Sequence, residues 1–262
     1  MQNQGSSQNP VELEIISSST ELIQHVYNLF ERALGSCRSA KQSHFIVGLS
    51  GGSLIKTLAD VLPSLNEDDL KKVRFVFCDE RRVPFENSES TYGEYMKLVY
   101  PRLQPIVSAD QFIGIDPLLP VNECASDYEQ KLRALISNDV EWPEFDILLL
   151  GVGPDGHTCS LFPGHPVLQE ERQWVAAVND SPKPPPERVT LTLPVLNHAR
   201  RIVFVASGAG KADVIKQILE GTPDEKARFP AALVRPEHCR ARVTWILDKE
   251  AASKLTTIPK QA

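Results

Sequence analysis

Residues 45–63 read Phe45-Ile46-Val47-Gly48-Leu49-Ser50-Gly51-Gly52-Ser53-Leu54-Ile55-Lys56-Thr57-Leu58-Ala59-Asp60-Val61-Leu62-Pro63. The first five residues form a short, wholly apolar run, which predicts a buried strand. Leu54, Ile55, Leu58, Val61 and Leu62 then recur at helical spacing until Pro63, which cannot continue a helix. Only Ser50-Gly51-Gly52-Ser53 separates the two patterns, so strand, tight turn and helix follow one another directly. That unit is the building block of a parallel sheet covered by helices.

The same alternation extends in both directions. Leu22, Ile23, Val26, Leu29, Phe30, Ala33 and Leu34 predict a helix opened by Thr20 as N-cap. Val73–Cys78 reads as a strand and Tyr92–Tyr100 as a helix. A short strand at Phe112–Ile115 precedes a helix over Asn122–Ile136, and Phe145–Leu150 is a nearly continuous apolar strand, as expected where helices cover both sheet faces. Trp174–Val178 and Val189–Leu193 read as extended. Ile202–Ala206 followed by Ala209–Leu219 is another strand and helix, and Val243–Leu247 with a helix from Asp248 closes the chain. No repeat is visible and no linker is long enough to separate two units. Ser181-Pro182-Lys183-Pro184-Pro185-Pro186 is stiff but too short for an interdomain tether. The fold class expected is α/β: a single doubly wound, mostly parallel sheet with helices on both faces, Rossmann-like, in one domain over residues 11–262 behind a flexible tail at 1–10.

Composition narrows the function. The chain has 262 residues, 28 Lys+Arg against 34 Asp+Glu, and 42% hydrophobic residues, which is ordinary for a folded protein of one large domain. The acidic balance and the absence of any basic run longer than a pair argue against nucleic acid as a partner. No apolar stretch approaches the roughly 20 residues needed to span a bilayer. Met1–Pro10 lacks the charged-then-apolar plan of a signal peptide. The five cysteines, Cys37, Cys78, Cys124, Cys159 and Cys239, are odd in number and widely spaced. Together these features predict a cytoplasmic protein with reduced thiols.

In an open parallel sheet, ligands bind beyond the C-terminal strand ends. Four loops at such positions carry unusual chemistry. In Ser50-Gly51-Gly52-Ser53 the glycines let backbone approach a ligand while the next helix aims N–H groups and its positive dipole end at the same spot, which suits a phosphate; a plain turn with Ser53 as N-cap fits equally. Asp79-Glu80-Arg81-Arg82-Val83-Pro84 could bind a polyol and an anion, or be a surface ion-pair cluster. Gly151-Val152-Gly153-Pro154-Asp155-Gly156-His157-Thr158-Cys159-Ser160 matches G-x-G-x-x-G in letters, but Pro154 and the poor prospect of a helix behind it disfavour a dinucleotide site. The loop instead holds Asp155 beside His157, whose imidazole exchanges protons near neutral pH. Proximity in sequence is a weak argument for Cys159 as a nucleophile, and His157 with His165 lacks a metal-ligand spacing, so no metal is expected. Ser207-Gly208-Ala209-Gly210-Lys211-Ala212 falls short of a Walker A loop yet offers Lys211 as a point charge for phosphate.

The order SGGS (50–53), DERRVP (79–84), GVGPDGHTCSLFP (151–163), RVTLTLPVLN (188–197) and SGAGK (207–211) resembles the 6-phosphogluconolactonases, most closely the eukaryotic cytosolic form, over nearly the whole chain from Glu12. The wider fold group is shared with glucosamine-6-phosphate deaminase; Arg81 after Asp79-Glu80, Val83-Pro84 and the Arg188–Pro194 segment favour the lactonase. The resemblance implies hydrolysis of 6-phospho-D-glucono-1,5-lactone to 6-phosphogluconate, the second step of the oxidative pentose phosphate pathway, by a carboxylic ester hydrolase. It implies His157 as general base, Asp155 and Asp79 orienting the histidine or the sugar hydroxyls, and Arg81 or loop N–H groups at the oxyanion. Ser50, Gly51, Gly52, Ser53 and Lys211 would hold the phosphate, with Arg81 and Arg188 as further candidates. No cofactor, metal or covalent intermediate is required, and the only partner implied is the sugar phosphate, taken up by a monomer. The alternatives are an isomerase or deaminase acting on glucosamine 6-phosphate and a non-catalytic sugar-phosphate sensor.

Overall fold

The computed structural model describes residues 11–236 and 242–257; the tail expected at 1–10, His238 and Cys239 lie outside the described residues. Seven strands, β1 (Val11–Ile16), β2 (Phe45–Leu49), β3 (Val73–Phe77), β5 (Phe112–Ile113), β6 (Ile147–Gly151), β9 (Arg201–Ala206) and β10 (Arg242–Asp248), form one sheet in the order β1-β10-β9-β6-β2-β3-β5. Every pair is parallel. Around them lie α1 (Ser19–Ser39), α2 (Leu54–Val61), α3 (Glu67–Leu70), α4 (Thr91–Leu98), α5 (Val121–Ile136), α6 (Leu193–Asn197), α7 (Ala212–Glu220), α8 (Pro223–Lys226) and α9 (Pro230–Leu233).

Side chains that alternate along each strand feed two apolar cores. Phe45, Val47 and Leu49 of β2 pack with Val26, Phe30 and Leu34 of α1 and with Leu58 and Val61 of α2. Ile46 faces the other way, into a cluster with Leu148 and Leu150 of β6, Phe204 of β9, Tyr128 and Leu132 of α5, and Ile215 of α7. Each fully buried Val, Leu or Phe contributes about 1.5–3 kcal/mol, so both helical layers are anchored and the doubly wound expectation holds. Gly48 is required by crowding: a Cβ there would lie 2.3 Å from Leu148 Cδ2 and 2.9 Å from Cys78 Sγ.

From β2 the chain moves to β3 on one side, whereas from β6 it moves to β9 on the other. The strand order therefore reverses between the neighbours β2 and β6, and the crevice above their C-terminal ends is where such a sheet accepts a ligand. Loops 50–53 and 152–160 form its two walls.

The structure adds to the sequence reading in four places. β1, over the alternating Val11-Glu12-Leu13-Glu14-Ile15, adds an edge strand beside β10 beyond those predicted from the sequence. The N-cap of α1 is Ser18, not Thr20; Ser18 is extended (φ −150°, ψ 161°) and its hydroxyl accepts from the Glu21 N–H, while Thr20 is already inside the helix. After β10 the chain turns instead of entering a helix, because the Asp248 carboxylate accepts from Gly208 N–H and Ala251 N–H and ties the strand end down. Finally, β4 (Asp79–Arg81), β8 (Arg188–Leu191) and β7 (Val175–Val178) form a second, antiparallel sheet of three strands. The extended residues predicted at 174–178 and 189–193 thus pair outside the main sheet.

Candidate active site

The 50–53 loop is built to receive something. Ser53 is helical and its side chain makes no capping bond, so the plain N-cap reading is not realised. The N–H groups of Gly51, Gly52 and Ser53 find no acceptor among the described residues. Ser50 Oγ is buried without a partner, although its carbonyl is held by Tyr95 Oη at 3.0 Å. A Cβ on Gly51 would sit 3.0 Å from Thr91 Oγ1, so Thr91 would have to give way, and Gly52 has φ +75°. Unpaired N–H groups at the start of α2 and an orphaned hydroxyl are the donors that an anion site requires.

Because β4 follows β3 after only one residue, the charged run 79–82 splits between two environments. Asp79 is buried and accepts from Ser160 Oγ at 2.7 Å. Glu80 turns inward and caps α4, accepting from the N–H groups of Thr91 (2.8 Å) and Tyr92 (2.6 Å); burial pushes its pKa up to about 7 against those hydrogen bonds. Arg82 is paired with Glu187, as the surface ion-pair reading has it. Arg81 pairs with Glu89 at 2.6 Å and lies directly across from Arg188 in the β4–β8 register.

The 151–160 loop closes on itself. Gly153 N–H donates to His157 O (2.9 Å) and Gly156 N–H to Gly153 O (2.9 Å), with Gly156 at φ +80°. This brings His157 Nδ1 to 2.5 Å from Asp155 Oδ1. The imidazole lies against the Phe162 ring at 4.9 Å and directly over Gly153, where a Cβ would fall 2.0 Å from both Cε1 and Nδ1. No helix opens behind the glycines; turns run through to a short 3-10 segment at Pro166–Gln169, so the pyrophosphate-binding geometry of a dinucleotide site is missing. Cys159, at 8% exposure and with a pKa raised well above the ordinary thiol range by Cys78 and burial, is not a thiolate nucleophile.

Electrostatics set the protonation of the pair. Burial lowers the His157 pKa below 6.5, outweighing Asp155, and Lys183 works in the same direction as burial. Burial raises Asp155, but the hydrogen bonds and charges of His157 and Lys183 overcome it and bring Asp155 to about 2. At pH 7 the result is an ionised Asp155 beside a neutral histidine, the state a general base needs.

Lys211 lies beyond β9 on the same edge of the sheet; burial lowers its pKa, and its ammonium has no hydrogen bond or ion pair among the described residues. Arg188, a candidate for phosphate, is buried and gives its donors elsewhere: Nε to Pro185 O (3.0 Å), and Nη2 to Lys183 O (3.0 Å) and Pro184 O (2.9 Å). A cavity of about 620 Å³ bordered by His44, Trp142, Asp146 and Arg200 opens near the opposite strand ends, remote from these loops.

A family model described as glucosamine-6-phosphate isomerases/6-phosphogluconolactonase matches residues 17–245. The chain belongs to this family. Within it, the chain is 49% identical to human 6-phosphogluconolactonase, covering 94% of both chains, and 43% identical to a probable 6-phosphogluconolactonase of Drosophila melanogaster, covering 94% of this chain and 97% of that one. Among solved structures, 6-phosphogluconolactonase from Trypanosoma cruzi superposes with a TM-score of 0.80 at 28% identity, over 97% of this chain and all of that one. A monomeric glucosamine-6-phosphate deaminase shares the fold, with a TM-score of 0.71 at 21% identity, over 93% of this chain and 99% of that one.

In this family member the sequence reading missed two residues of the site, one at the histidine and one behind it at Asp79. Lys183 Nζ lies 3.1 Å from His157 Nδ1 and 3.0 Å from Asp155 Oδ2. Ser160, fully buried, links Asp79 to Arg188 Nη1 (3.4 Å). A lysine inside a proline run carries no positional signal. The Ser160 spacing from His157 was visible, but its partner, 81 residues away, was not.

Proposed function

We propose that this protein hydrolyses 6-phospho-D-glucono-1,5-lactone to 6-phospho-D-gluconate, the second step of the oxidative pentose phosphate pathway, with His157 activating water and no metal taking part. The observation that carries the reading is the Asp155–His157 contact at the crevice between β2 and β6, in a chain 49% identical to the human lactonase.

The residues meet each demand of the reaction. With Nδ1–H donated to Asp155, His157 Nε2 presents a lone pair that takes a proton from water as the oxygen bonds to the lactone carbonyl carbon. The resulting oxyanion is met by loop N–H groups or Arg81. As the intermediate collapses, the bond from the carbonyl carbon to the ring oxygen breaks, and the imidazolium returns its proton to that oxygen, leaving the open-chain hydroxy acid. Ser50, Gly51, Gly52, Ser53 and Lys211 hold the phosphate, Arg81 joining them only where loop N–H groups alone meet the oxyanion, so that binding energy away from the reacting bond positions the carbonyl. The role of Arg188 in this scheme is indirect: it clamps the backbone that carries Lys183. Residues 11–262 work as one domain, as a monomer in the cytoplasm.

The test is acid release from freshly generated 6-phosphogluconolactone, with chelator present and the spontaneous rate subtracted, beside ammonia release from glucosamine 6-phosphate. Acceleration of the first alone is expected. Ammonia release without lactone hydrolysis would move the chain to the deaminase branch of its family, and neither activity would leave the sensor reading.

A further inference from the structure

Lys183 does not sit in the site as a free surface lysine would. Its backbone is held from both sides: its N–H donates to Ser181 Oγ (3.2 Å), and its carbonyl accepts from Ser181 Oγ (2.8 Å) and from the buried Arg188 guanidinium (3.0 Å). Ser181 N–H closes the strap on Pro186 O at 3.0 Å. Prolines on both sides of Lys183 fix their own φ angles, so the lysine is delivered to the Asp155–His157 pair with little backbone freedom left to lose. At the tip, one ring nitrogen faces two unlike groups. Asp155 can only accept from Nδ1, and the Lys183 ammonium can only donate to it or to Asp155 Oδ2.

We propose that Lys183 is a positioning residue of the reaction: its ammonium holds Asp155 Oδ2 so that Oδ1 faces His157 Nδ1, and it disfavours the imidazolium, keeping the histidine ready to accept a proton and quick to surrender it to the ring oxygen. The inference rests on the reading of His157 as general base. The charged groups acting on His157 are Asp155 from its own loop, Asp79 from β4 and Lys183 from the strap; the two carboxylates favour the protonated ring and Lys183 alone among them opposes it. Removing that one cation leaves the carboxylates unopposed.

The test compares Lys183→Met with Lys183→Arg, which keeps the charge. His157 is titrated by NMR through its ring Cε1–H in the ligand-free protein, and the pH dependence of kcat/KM on the lactone is followed in parallel. In Lys183→Met the His157 midpoint is expected to move up by about one unit, the acid limb of kcat/KM moving with it, so that at a pH well below both midpoints kcat/KM falls about tenfold more than at pH 8.5. Lys183→Arg should keep both midpoints near wild type. An unmoved His157 midpoint in Lys183→Met, or an activity loss of the same size at every pH, would overturn the proposal and leave the lysine a packing role. If Lys183→Met does not fold, Lys183→Gln replaces it under the same criteria. Because the NMR titration needs no substrate, a wild type inactive on the lactone would sink the functional reading while the titration still decided the coupling of Lys183 to His157.

Discussion

His157→Ala is expected to lose turnover of the lactone by about 10²–10⁴-fold, the usual contribution of a positioned general base, while affinity for 6-phosphogluconate, measured by calorimetry, stays within a few-fold of wild type. The two effects separate because the proposed phosphate ligands lie on other loops: Ser50 to Ser53 follow β2, and Lys211 follows β9. The imidazole is half-buried against Phe162, so its removal leaves a small gap at the mouth of the site without opening either core. Turnover within threefold of wild type would remove His157 from the mechanism, and with it the reason for Asp155 and Lys183 to converge there.

Gly153→Ala is expected to cost about 10²-fold in kcat with little change in Tm. The substituted Cβ would fall 2.0 Å from the His157 ring and 2.7 Å from Asp155 Oδ1. A side chain can swing away where a backbone cannot, so the strain is relieved by displacing the imidazole. Displacement by about 1 Å is enough to lose two orders of magnitude when the reacting groups must be aligned. Gly153 does not occupy the left-handed region, unlike Gly156 at φ +80°, so alanine there is compatible with the backbone and the folded state should survive. An unfolded Gly153→Ala protein, or one of full activity, would show that the ring is not held over this glycine during turnover.

Which parts of this arrangement the sequence could reveal follows from the range of the interactions. The strand, turn and helix at residues 45–62 are decided by neighbours within a few positions, and Gly51-Gly52 announces the turn chemistry directly. Asp155 and His157 are two residues apart, so a loop tight enough to need Gly153 and Gly156 brings them together almost unaided. The small antiparallel sheet is different. Asp79–Arg81 is a three-residue charged strand with no apolar alternation, and its pairing with Arg188–Leu191 is a contact over more than 100 positions that no local pattern encodes. Glu80 looked like a ligand-binding carboxylate, yet the N-terminus of α4 captures it. Arg188 reads as an anion-binding residue, and in the structure three consecutive backbone carbonyls of the proline strap take its Nε and Nη2 donors. In both cases a charged side chain satisfies nearby backbone groups that a sequence does not show to be exposed. Lys183 is the converse: the prolines were legible as stiffness, and what the stiffness holds in place was not.

The central claim is that His157 is a neutral base in the free enzyme, and the pH dependence of wild-type kcat/KM reads that state directly, since it reports the free enzyme's ionisations. Burial depresses the imidazole below 6.5, so kcat/KM should be level above pH 7 and fall tenfold per unit only below that midpoint. A limb centred above pH 7, or a rate that does not fall in acid at all, would contradict the account.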